Sequence, residues 1–252
     1  MVLMAAVAMA RADEWHQQYQ VTAKPTVMVD CGDGNVTVVA GSGNQVAARV
    51  TTTGWRIGPD DVRIDAHQSG NRVDITIKVP HEHFSFGSRS LRVELTVPGE
   101  TDLDLHTSDG NVSITSIKGA ERVRTGDGNV DAHGLDGTLT AASGDGNIRA
   151  DGRFDQLDLR SGDGEINASA NAGSKMAMGW SLNSGDGNIT LRVPEGFAAD
   201  LDAHTGDGRV SVDFPVTMSG SMREGTLRGK MNGGGGILMV RSGDGNVRIG
   251  KS

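Results

Sequence analysis

Apolar residues in this chain recur at every second position on both sides of a short polar phrase, and that phrase returns eight times. It reads GDGNV at 32–36, SDGNV at 108–112, GDGNV at 126–130, GDGNI at 144–148, GDGEI at 162–166, GDGNI at 185–189, GDGRV at 206–210 and GDGNV at 243–247. Take each Asp as position zero. Position +3 then holds Val36, Val112, Val130, Ile148, Ile166, Ile189, Val210 and Val247, and position +5 is apolar in each copy, from Val38 to Ile249. Before the turn, position −4 holds Val29, Leu105, Val123, Ala141, Leu159, Leu182, Ala203 and Val240. Position −6 is mostly large and apolar, with Glu121 the exception. Period-2 alternation on both arms of a turn predicts two strands per unit, each with one buried face.

The polar positions fall between these columns. Position −3 carries residues such as His106, Arg124, Arg160, Asn183, His204 and Arg241. Position −2 is a small hydroxyl residue in seven copies (Thr107, Thr125, Ser143, Ser161, Ser184, Thr205 and Ser242), and in the first copy it is Cys31. A small buried thiol suits a column of Ser and Thr, so Cys31 reads as structural. QSGNRVDI, at 68–75, aligns as a weaker copy if Gly70 takes the zero place. Ile64 and Ala66 then fill −6 and −4, and Val73 and Ile75 fill +3 and +5. VPGETDLDLHTSDG (97–110) and VPEGFAADLDAHTGDG (193–208) are a second echo, with Pro98 and Pro194 closing the preceding strands.

From Asp109 to Asp163 the step is 18 residues each time, then 23, 21 and 37. A two-strand unit this short cannot bury its apolar face alone, whereas stacked units share one core. The expected fold is therefore all-β, an elongated β-solenoid or two-sheet β-roll with repeats of about 18 residues. Stacked hairpins joined by Asp-Gly turns are the alternative, because Asp-Gly is also a strong hairpin signal. The steady step favours the roll. Residues 1–12 read as the remnant of a signal peptide and 13–252 as a single β-repeat domain, most regular at 101–170. Loop excursions are expected at 52–61, 80–90, 170–179 and 215–236.

Composition sharpens this in three ways. Gly is 37 of 252 residues, about double the usual share, with no every-third-residue pattern, so it marks turns and not collagen. The formal net charge of −8 argues against a nucleic-acid partner, which would want a basic stripe. MVLMAAVAMARA is apolar, too short to span a bilayer, and ends in an A-x-A cleavage form without a basic start. It points to export, to the periplasm, the cell surface or the medium. A lone Cys31 cannot make an internal disulfide, so the core must stabilise itself.

The export signal, the VPxG phrase, the short alternating strands and the repeated T/S-x-G-D/N-I/V turns resemble the bacterial "putative adhesin" β-strand repeat family, over roughly residues 25–250. That resemblance implies an exported or cell-envelope all-β repeat protein and brings no catalytic residues to carry over. The family often carries a transmembrane segment, and no stable membrane span is read in this chain.

Eight turn carboxylates along one edge raise the question of a metal. Asp109, Asp127, Asp145 and Asp163 are the candidate ligands and calcium the candidate ion, since adjacent carboxylates about 5 Å apart would repel or attract a cation. Against this, there is one turn Asp per repeat and no second acidic column. A structural role needs less: Gly supplies backbone freedom, and Asp and Asn bond to their own turns. His81 and His83, flanking Glu82, could share a metal but have no evident third ligand. His106, His204, Asp102, Asp104 and Asp202 read as solvent-facing. Phe84, Phe86 and Trp55 could stack on sugars or a partner, or plug one end. No nucleophile-elbow, P-loop, zincin, C-x-x-C or dinucleotide phrase occurs. The reading is a non-enzymatic exported or envelope protein for adhesion, scaffolding or binding of an envelope protein or glycan, with no cofactor required. A carbohydrate-active enzyme with a carboxylate pair in a groove and a calcium-stabilised roll are the alternatives.

Overall fold

The computed structural model describes residues 12–79, 89–176, 178–218 and 225–252. They form twenty-one strands: β1 (Ala12–Gln20), β2 (Thr26–Cys31), β3 (Asn35–Gly41), β4 (Gln45–Thr53), β5 (Arg63–Ser69), β6 (Arg72–Lys78), β7 (Ser90–Pro98), β8 (Asp102–Thr107), β9 (Val112–Thr115), β10 (Lys118–Thr125) and β11 (Val130–Ser143). There follow β12 (Ile148–Ser161), β13 (Ile166–Ala170), β14 (Trp180–Ser184), β15 (Ile189–Val193), β16 (Ala199–Thr205), β17 (Val210–Val212), β18 (Val216–Met218), β19 (Thr226–Met231), β20 (Gly236–Ser242) and β21 (Val247–Lys251).

The strands stack as two facing sheets joined at the Asp-Gly corners. Sheet one runs β5–β6–β2–β8–β10–β11–β12–β14–β20–β16–β19–β18. Sheet two runs β1–β4–β7–β3–β9–β11–β12–β13–β15–β21–β17. The long strands β11 and β12 serve both sheets, crossing over at a register shift between Ala132 and Leu135. Pairing is parallel through the middle, and like columns stack: Val123 lies beside Leu105 and Ala141, and Val130 beside Val112 and Ile148. This is the roll. A stack of Asp-Gly hairpins would have paired the −4 and +3 arms with each other.

Two details differ from expectation. The 68–75 stretch is not a copy of the roll turn. β5 and β6 form an antiparallel hairpin across Gly70, whose φ is +58°, and Asn71. Val73 and Ile75 pair in register with Val27 and Val29, which places them in the −6 and −4 columns and not in +3 and +5. Period-2 alternation is the same for both kinds of turn, so it does not distinguish a hairpin arm from a roll arm. The second difference is order. The β2/β3 rung lies between β6/β7 and β8/β9, and β20/β21 is inserted between β14/β15 and β16/β17. Neighbours in the stack are therefore not always neighbours in the chain.

The inward columns make one continuous core. Val29, Leu105, Val123, Leu159, Leu182 and Val240 are fully buried, as are Val36, Val130, Ile148, Ile166 and Ile189. Each such side chain contributes about 1.5–3 kcal/mol by leaving water. Trp180 stands in the −6 column, beside Leu238 of β20. Trp180 packs edge-on to Phe154 and at 4.9 Å from Phe197. Trp55 packs partly buried against the core, with the Arg89 guanidinium 5.6 Å from its ring centre. Among the described residues no helix is long and apolar enough to cross a membrane. Residues 1–11, which carry most of the export reading, lie outside the described residues, as do His81, Glu82, His83, Phe84 and Phe86.

Candidate functional site

The geometry of the repeated corner is built by stacking. The position −2 hydroxyl is buried and makes two bonds. Ser143 Oγ donates to the carbonyl of Gly128 on the neighbouring rung at 2.9 Å and accepts the N–H of Gly146 in its own turn at 2.9 Å. Thr125, Ser161, Ser184, Ser242 and Thr205 repeat both bonds, so the corner is a ladder of satisfied hydroxyls. Cys31 begins the ladder, beside Ile77 of a rung that lacks the phrase. Cys31 is 1% exposed, and burial pushes its thiol up to about 11, so it is a packing residue and a poor nucleophile.

The Gly after each Asp is required by contact. A Cβ on Gly146 would lie 2.0 Å from the carbonyl oxygen of Gly128, and Gly110, Gly128, Gly164, Gly187, Gly208 and Gly245 meet the turn below in the same way. None of these glycines has a positive φ. Backbone freedom, the sequence-based reason, is therefore not what the turn needs; close approach of one turn to the next is.

Asn at +2 also acts between rungs. The N–H of Asn147 donates to Asn129 Oδ1 at 2.8 Å, as Asn129 does to Asn111 and Asn111 to Asn35. The two exceptions fit. Glu165 still donates its N–H to Asn147, and its carboxylate accepts the amide of Asn188 at 3.2 Å in place of an amide oxygen. Arg209 donates its N–H to Asn246 Oδ1 at 3.0 Å, and among the described residues it ends the ladder.

The Asp at zero is left over. Asp109, Asp127, Asp145 and Asp163 are exposed at the corner in consecutive rungs, and among the described residues they make no side-chain hydrogen bond. Among the same residues no group of three or more His, Cys, Asp or Glu is arranged to hold a metal ion. The other polar candidates are dispersed. His106 and His204 share an outward column but stand on distant rungs, and His204 Nδ1 lies 2.9 Å from Thr226 Oγ1. Asp102 accepts the Ala120 N–H at 2.9 Å and pairs with Lys24 at 3.3 Å, and Asp202 pairs with Arg228 and Arg241.

A groove of about 330 Å³ runs along the edge of sheet one opposite the Asp-Gly corners. Its charges are locked to one another. Lys118 Nζ bonds Glu100 at 2.7 Å and holds that carboxyl below its usual range, and Arg153 clamps Asp136 and Asp155. Next to it lies a group that the sequence flagged only as a column exception. Glu121 is 2% exposed between Leu103 and Leu139, and neither of its carboxylate oxygens has a partner. Burial, more than the nearby Asp102 and Asp136, pushes it up to about 8, with Lys24 opposing. A second unforeseen pair joins adjacent rungs at the far corner, where His133 Nδ1 lies 2.5 Å from Asp151 Oδ1. Its only sequence signal was the 18-residue spacing that makes +6 positions neighbours.

Parallel in-register columns, corner ladders and two facing sheets define a repeat protein of the β-roll class. More particularly, residues 35–250 match the model of the Toastrack DUF4097 family, and the chain belongs to that family. No curated protein matches it. Among solved structures it is similar to a "putative cell adhesion protein" from Clostridium sporogenes, at 12% identity and TM-score 0.46, covering 96% of this chain and 100% of that one. It is also similar to a "putative adhesin" from Bacteroides fragilis, at 11% identity and TM-score 0.39, covering 95% and 97%. A third is a "putative lipid binding protein" from Parabacteroides distasonis, at 14% identity and TM-score 0.42, covering 96% and 98%.

Proposed function

We propose that this chain is a non-enzymatic, exported or cell-envelope β-roll that works in adhesion or scaffolding, by presenting a long polar face to an envelope protein or glycan. The observation that carries the reading is where the repeated side chains are spent. The hydroxyl, Gly and Asn columns are each consumed in bonds or contacts between rungs. What remains outward is a regular field of charged and hydroxyl side chains, such as Arg122, Arg124, Thr140 and Arg160, on a rigid parallel lattice. Rigid display of many weak contacts suits binding by avidity. The names of the similar adhesion proteins agree with it.

The test is binding of the purified chain to a glycan array and to isolated envelope fractions, alongside turnover assays on polysaccharides. The reading expects saturable retention on one of the two surfaces and no turnover. Turnover abolished by one Asp or His substitution would overturn it.

A further inference from the structure

The two ends of the roll are finished differently. At the β1 end, the outermost strands carry charge within the edge itself. β1 contains Asp13, Glu14 and His16, and β5 contains Arg63, Asp65 and His67. Such charges discourage another strand from pairing. At the other end, the last full rung is β16/β17. Sheet one continues past it by two strands, β19 and β18, while sheet two stops at β17. Among the described residues β17 pairs with β21 alone and β18 with β19 alone. Their sequences are Val-Ser-Val and Val-Thr-Met, with no charge in either.

Side-chain direction in these two strands matches the core. Val210 and Val212 continue the +3 and +5 columns, and Val216 lies opposite fully buried Met231. Yet Val210, Val212 and Val216 are only half-buried and Met218 is 38% exposed. Phe214, in the crossover between the two strands, and Met231 are buried, so among the described residues the open part of the core at this end is the strip lined by Val210, Val212, Val216 and Met218.

A two-strand step of this kind is complementary to itself. Place a two-fold axis parallel to the strands and midway between the sheets. It lays the β19–β18 ledge of each copy over the sheet-two edge of the other. One plane then reads β16, β19, β18 and the partner's β17, and the opposite plane reads the reverse. Both planes hold the same number of strands, so neither is left with a gap or an overlap. The axis preserves strand direction. Because β18 runs with β16 and opposite to β17, β18 meets the partner's β17 antiparallel. Both strands are three residues long with an inward–outward–inward pattern, so a centred register buries the Val and Met side chains and sets Ser beside Thr outside.

We propose that the β17/β18 end is an interface between two copies of this chain, forming a two-fold dimer in which the two cores become continuous. Isologous closure of this type also removes the open edges that would otherwise invite aggregation.

Sedimentation velocity of the full chain over a concentration series tests it. The expected result is a monomer–dimer equilibrium whose dissociation constant rises at least tenfold in Met218→Lys and in Val212→Lys, and stays unchanged in Asp65→Lys at the opposite end. Circular dichroism establishes that each variant is folded. If the Lys variants do not fold, hydrogen exchange on the unmodified chain decides: amides of 210–212 and 216–218 gain protection as concentration rises. A monomer at every concentration overturns the proposal. So does a dimer that protects β1 or β5 instead.

Discussion

Glu121 sets up the most demanding energetic test. It occupies a core column, between Leu103 and Leu139, with both oxygens buried and unpartnered. Its folded value of about 8 lies above the ordinary 4.5 expected of the unfolded chain. Between those two values the folded state holds a proton that the unfolded state has released, so stability falls as pH rises through this window and levels off above it. At about 1.4 kcal/mol for each pH unit separating the unfolded value from the working pH, the cost at pH 7 is about 3 kcal/mol. Glu121→Gln removes the ionisation and Glu121→Leu also completes the apolar column. Urea denaturation at pH 5, 7 and 9 measures both. Glu121→Leu is expected to raise stability by about 3 kcal/mol at pH 7 and by less than about 1 at pH 5, with Glu121→Gln flattening the same pH slope. A Leu variant that is less stable than the parent at pH 9, or an unchanged pH slope in both variants, would refute the burial of an unpaired carboxyl.

The corner ladder makes further predictions. Ser143→Ala removes a donor to the Gly128 carbonyl and an acceptor for the Gly146 N–H, and is expected to cost about 1–3 kcal/mol in urea melts, with Ser143→Thr restoring most of it. Gly146→Ala forces a Cβ to 2.0 Å from a backbone oxygen, so neighbouring rungs must separate; we expect more than about 3 kcal/mol, an exceptional loss for one methyl group. Cys31, buried with its thiol pushed up to about 11, should resist an aromatic disulfide reagent at pH 8 in the native state and react promptly in urea.

Much of this architecture is written in the period of the chain. The +3, +5 and −4 columns, the buried hydroxyl column and the place of Cys31 within it all follow from alternation about a fixed phrase. What alternation does not encode is which arm follows which turn, and 68–75 shows the consequence. Gly70 supplies a left-handed residue for a true hairpin, a role the corner glycines never take. The stacking order was hidden for a related reason. Eight nearly identical phrases present nearly identical edges, so the chain gives no local sign that β20/β21 enters beside β14/β15. Asn bonds the neighbouring rung and not its own turn, and an amide that bonds the next turn looks in sequence like one that bonds its own. At Glu121 the sequence marked the position, as the one acidic residue in a column of large apolar ones. Its burial without a partner required the fold.

A cysteine pair reports on whether the rungs of this parallel roll stack out of sequence order. In a Cys31→Ser background, Asn183→Cys with Arg241→Cys places two outward thiols in register on neighbouring parallel strands, whereas Asn183→Cys with His204→Cys places them two strands apart across β20. Oxidation is expected to close the first pair in high yield and to leave the second open. A disulfide that forms between positions 183 and 204 but not between 183 and 241 would place β16, and not β20, beside β14.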